Sequence, residues 1–128
     1  MRPAVRPWRV PRPGYGRKSL SVIVTVVDGG DALRRCLLAL MRQRLAPPMD
    51  IVVPYDASIS ATVMALRPEF PGVRFLGLGR IDTERPLHSA AGQHELFDRR
   101  RAAGLAAARG DLVAMLEDRG APGPDWAT

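Results

Sequence analysis

Four acidic positions hold most of the chemistry this sequence can offer: Asp28, Asp56 and the adjacent pair Glu117 and Asp118. Each follows directly on a short apolar run. Carboxylate oxygens at such exits are hard acceptors, well placed to hold a ligand or a divalent cation in the crevice there. A second set is basic. Arg99-Arg100-Arg101 precedes a stretch of small residues, and Arg119 follows the acidic pair. Read as residues alone, such an arginine run is a solvated helix face. Other centres are poorly supported. His88 and His94 fit no zinc spacing, and Gly77-Leu-Gly79 lacks the third glycine of a dinucleotide fingerprint. No phosphate-binding Walker loop, Gly-x-Ser-x-Gly or Cys-x-x-Cys is present.

Elements must bring these groups together. Leu20 to Val27 is a β-branched run that reads as a central strand. Asp28-Gly-Gly-Asp31 turns the chain, with Asp31 as the expected helix cap. Leu33, Leu37, Leu40 and Met41 recur at helical spacing. Asp50 to Pro54 reads as a second strand whose ladder Pro54 would stop. Ser58 or Ser60 is then expected to cap a helix ending near Pro68. Val73 to Leu78 reads as a third strand, 79–93 as the longest loop, and Glu95 to Arg109 as a helix stopped by Gly110. Leu112 to Leu116 is apolar throughout and reads as a fourth strand buried on both faces. Strand and helix alternate, which implies an α/β fold: a mostly parallel sheet flanked by helices. All strand exits then share one edge, where Asp28, Asp56, Glu117 and Asp118 converge.

Charge sets further bounds. The chain has 128 residues and a formal charge of +6. Residues 1–18 hold six basic groups and no acid, so the 13 remaining basic groups balance the 13 acidic ones. The basicity belongs to an Arg/Pro-rich arm, read as disordered, and the domain proper spans residues 19–128. A neutral body argues against nucleic acid as the main partner. The arm, with Trp8 and Tyr15 among its arginines, offers peripheral membrane contact. Cys36 is the one cysteine and reads as a core thiol in a reducing compartment. No segment reads as a signal peptide or a membrane span, which makes a cytoplasmic location the expectation.

Five blocks in order resemble glycosyltransferase family 2, whose members have the GT-A fold. Thr25-Val-Val-Asp-Gly-Gly30 with Leu33-Arg-Arg-Cys-Leu37 matches the opening strand, turn and helix. Pro54-Tyr-Asp-Ala-Ser58 aligns with the Val-Asp-Asp-Gly-Ser block, and Arg100-Arg-Ala-Ala-Gly-Leu105 with Ala-Arg-Asn-x-Gly-Leu. Ala108 to Leu116 follows the family phrase Ala-x-Gly-Asp-Leu-Val-Ala-x-Leu nearly letter for letter. Glu117-Asp-Arg119 stands at the Asp-x-Asp signature, and Pro122 to Trp126 is similar to the segment after it. The resemblance implies a Rossmann-like GT-A half-domain that binds a nucleotide-diphosphate sugar and transfers the sugar to an acceptor. It places Asp28 and Asp56 at the base and ribose, Arg101 at the phosphates, and Glu117 and Asp118 at the ribose and a Mn or Mg ion. Arg119 stands where the family has its last metal-binding aspartate. The family's catalytic base falls beyond Thr128, so the expectation is a truncated, donor-binding half with no base assigned. Trp126 and the apolar sheet edge would then lack their usual covering. The alternative is a non-catalytic remnant serving as a binding or interaction module.

Overall fold

The computed structural model describes residues 18–128; the arm, apart from Lys18, lies outside the described residues. Four strands form one parallel sheet: β1 (Leu20–Thr25), β2 (Met49–Tyr55), β3 (Arg74–Gly77) and β4 (Leu112–Glu117), in the order β3-β2-β1-β4. Between them run α1 (Gly30–Met41), α2 (Ser60–Leu66) and α3 (Ala90–Ala107). The α/β architecture expected from the sequence is therefore present. The chain moves outwards from β1 to β2 and β3, then returns across the sheet to place β4 on the other side of β1. That reversal makes a topological switch point between β1 and β4. In open α/β sheets, the crevice at such a point, beyond the carboxyl ends of the strands, is where ligands bind.

The residues explain the layers. Val22, Val24 and Val26 share one face of β1 and meet Leu33, Cys36, Leu37 and Leu40 of α1 and Val63 and Leu66 of α2. The apolar stripe at helical spacing is thus the buried side of α1, and Cys36 lies within it, fully buried. Burial pushes its thiol up to about 11, with the nearby Asp118 charge adding to the shift. α3 covers the opposite face, against β1 and β2. Its buried residues are Gly92, Leu96, Arg100 and Gly104, one every fourth position. Gly104 sets how closely α3 approaches: a Cβ there would clash with Ile23 Cγ2 and sit 3.2 Å from Pro54 Cγ. Gly104→Ala should therefore cost about 1–3 kcal/mol through overpacking. Urea melts would show a lower midpoint, and the loss caused by Gly104→Ala should be smaller in an Ile23→Ala background, where the clash is relieved.

Several local expectations need correction. Asp31 does not cap α1; Gly29 occupies the cap with φ 68°, and no side chain bonds there. Neither Ser58 nor Ser60 caps the second helical segment. Asp56 does so, accepting from Ser58 N at the head of a 3-10 turn, Ala57–Ile59. α3 begins at Ala90 rather than Glu95, capped by Ser89 Oγ, which accepts from Gly92 N. It ends at Ala107, before Gly110. Pro54 interrupts only one ladder. Pairing of β2 with β1 ends at Val52, while pairing with β3 continues to Tyr55. Tyr55 O accepts from Leu78 N on the β3 side, so the neighbouring residue 54 faces β1, and its missing N–H is lost there.

The largest correction concerns β4. It is an edge strand, and Leu112, Val113 and Met115 are 53%, 42% and 54% exposed. An apolar run records what a strand could bury, and strand order decides what is covered. Trp126 is also exposed, in a final segment that packs on the end of α1 through Arg44 N to Pro124 O and a salt bridge from Arg44 to Asp125.

Candidate functional site at the switch-point crevice

The amino-terminal edge of the sheet is latched by short polar contacts. Ser21 Oγ accepts from Arg109 N and Gly110 N and donates to Asp50. Arg74 binds Asp50 through two nitrogens, both at 2.7 Å, and also donates to Ala107 O. Asp111 closes the same edge on Ser19, whose N–H and hydroxyl both donate to it and hold its carboxyl below the usual range. These contacts fix where α3 ends and β4 begins.

The carboxyl edge is built differently. Asp118, first residue after β4, is 1% exposed and reaches across to the loop after β1. Its Oδ1 accepts from Val27 N at 3.0 Å and Asp28 N at 3.1 Å, and its Oδ2 from Gly29 N at 2.7 Å. The loop can offer three successive amides because it turns sharply at Gly29 and Gly30, both of positive φ. Asp118 N in turn donates to Thr25 O. One buried carboxylate thus ties the exits of β1 and β4 and sets the shape of the crevice between them.

Asp56 serves a parallel purpose at the exit of β2. It is 2% exposed and paired with Arg100, which is 1% exposed. Arg100 reaches its Oδ1 through Nε at 2.8 Å and Nη2 at 2.6 Å, and donates through Nη1 to Val26 O at 2.8 Å. Ser58 N and Oγ donate to the other oxygen. Burial alone would raise the Asp56 carboxyl, but the bonds from Ser58 and Arg100 outweigh it and hold the group below the usual carboxylate range. Arg100 therefore ties the exits of β1 and β2 through α3.

The remaining residues line the crevice itself. Val27, His94, Phe97, Asp98, Arg101, Glu117 and Arg119 surround a cavity of about 290 Å³. Arg119 Nε donates to Asp28 Oδ1 at 3.3 Å across the mouth. Arg101 Nη1 donates to Asp98 Oδ1 at 2.9 Å, and its Nη2 lies 3.7 Å from Glu117 Oε1. His94 and Phe97 stand 5.8 Å apart, ring to ring, on the α3 wall. A second, larger cavity of about 590 Å³ opens beside Asp56 and Ser58, under the loop from Arg80 to Leu87.

The structure thus brings Asp28, Glu117 and Asp118 together and links Asp56 to them through Arg100. It divides them by exposure. Asp56 and Asp118 are buried and committed to protein donors, whereas Arg101, Glu117 and Arg119 line the opening and Asp28 stands beside it, bonded to Arg119. Arg100 is the residue that sequence reasoning missed, although Leu96, Arg100 and Gly104 at four-residue intervals carried the signal. Among the described residues, no group of three or more His, Cys, Asp or Glu side chains is placed to hold a metal ion, and no helix is long and apolar enough to cross a membrane. No protein-family model matches the chain, and no curated protein matches it.

Proposed function

We propose that this chain is the donor-binding part of a family 2 glycosyltransferase, taking a nucleotide-diphosphate sugar into the crevice between β1 and β4. The support is the carboxylate of Asp118 holding the β1 exit loop, which joins the first and last blocks of the resemblance into one wall. Asp28 and Val27 on that loop border the space for base and ribose. Arg101 and Arg119 border the space for the phosphates, and Glu117 lies between. Asp56 acts on this reading through Arg100, positioning the loop after β1 rather than touching the nucleotide. The divalent cation of the resemblance does not fit these residues, since Asp118 has both oxygens occupied by backbone N–H groups and Arg119 replaces the second carboxylate.

The test is thermal unfolding with uridine or guanosine diphosphate and their sugars. Ligand at about 100 times its dissociation constant adds roughly 2.7 kcal/mol, a rise of several degrees in a domain of this size. No shift with any nucleotide sugar, with or without manganese, sinks the reading. A second reading, a non-catalytic binding module, is favoured by the exposed apolar side chains of β4. It gains if nucleotides leave the melt unchanged.

A further inference from the structure

A divalent cation bound through oxygen needs carboxylate lone pairs turned towards it. The crevice has few to give. Asp118 is buried and accepts three backbone N–H groups, Asp28 accepts from Arg119 and Asp98 from Arg101, which leaves Glu117, 3.7 Å from Arg101, as the one carboxylate of the crevice with no hydrogen bond among the described residues. Two guanidinium groups from separate elements, the turn after β4 and the middle of α3, line the same cavity.

We infer that a diphosphate binds this crevice without a metal ion, its charge met by Arg101 and Arg119. The inference rests on the donor reading of the same crevice. A guanidinium carries five N–H donors in a planar fork that matches phosphate oxygens. Arg119 uses only Nε, leaving both terminal nitrogens without a partner among the described residues. Arg101 uses only Nη1 in a hydrogen bond, because its Nη2 is 3.7 Å from Glu117, too far for one. Their present partners hold them loosely. The Arg119–Asp28 pair has side chains 62% and 47% exposed, and the Asp98 side chain on Arg101 is 76% exposed. Such exposed pairs are weak, and a diphosphate with its denser charge displaces them. Asp28 and Asp98 then act as rests that keep the two arginines near the opening before ligand arrives.

Titration calorimetry of the full chain separates the possibilities, with uridine, uridine diphosphate and inorganic pyrophosphate as probes. In EDTA, uridine diphosphate and pyrophosphate should both bind, and replacing EDTA by manganese should change the uridine diphosphate affinity less than threefold (an order-of-magnitude bound). Arg101→Gln and Arg119→Gln should each weaken both diphosphates by roughly tenfold to a hundredfold while leaving uridine unchanged. The Arg119 side chain is exposed and that of Arg101 partly so, and neither belongs to the core, so the variants should melt close to the parent. Arg119→Asp should convert uridine diphosphate binding to manganese dependence. Binding that requires manganese in the parent overturns the inference and leaves the donor reading standing. Binding in EDTA that neither arginine variant weakens also overturns it. Silence from all three probes in both buffers removes the inference and the donor reading together.

Discussion

Arg100→Met should be the most damaging single change in the domain, lowering stability by about 3–5 kcal/mol, or roughly 10–20 °C in melting temperature. The charge on Asp56 would remain buried with its guanidinium gone, leaving only Ser58 to solvate it. Val26 O would also lose its donor. The pair Arg100→Met and Asp56→Asn should recover a large part of the loss, because no unpaired charge is left behind. Acid gives a second check. The Asp56 carboxyl is held below its unfolded value, so its contribution is fully present above about pH 4 and lost as pH falls through the folded value. The deficit of Arg100→Met relative to the parent should therefore shrink below about pH 4. A deficit of under about 1 kcal/mol at neutral pH would show the pair to be incidental.

Asp118→Asn should be the second largest, at about 2–4 kcal/mol. Only one oxygen survives the change, and the new amide group turns donors towards N–H groups that need acceptors. The amides of Val27, Asp28 and Gly29 should exchange with solvent faster than in the parent, which hydrogen-exchange measurements would detect. The outcome also decides what kind of residue Asp118 is. A group that contacts ligand directly would leave the melt intact and weaken nucleotide binding alone. A group that shapes the crevice changes both, stability first.

Much of the scaffold was legible because β-branched runs and the α1 stripe are local signals. The strands from Leu20, Met49 and Arg74 can be read from the sequence to within one or two residues, and their parallel order follows from alternation with helices. What failed was non-local. Leu112 to Leu116 gave a sound strand, but its chain of apolar residues carried no information about being outermost. The first turn of α3, Ala90-Ala-Gly-Gln-His94, is small and polar without an apolar stripe, so it read as loop despite the Ser89 cap. In sequence, Asp56 and Asp118 read as ligand groups. Nothing in their immediate sequence shows that Arg100, 44 residues away, and the amides of residues 27–29, some 90 residues away, consume their lone pairs. Arg99, Arg100 and Arg101 point in directions about 100° apart on a helix. Only the spacing from Leu96 and Gly104 tells which one turns inward.

The register of β4 on β1, with Leu20 against Leu112 and Thr25 against Glu117, has a consequence for how the molecule is made. At ribosomal speeds of roughly 5–20 residues per second, about 5 to 20 s separate the synthesis of these two partners. Throughout that interval β1, a central and buried strand of the finished sheet, stands at an open flank, with unpaired backbone groups on the side β4 will later occupy. Contacts between such distant segments also slow folding, because a long loop must close before it is rewarded. That flank of β1 thus stays open to misassociation until β4 emerges.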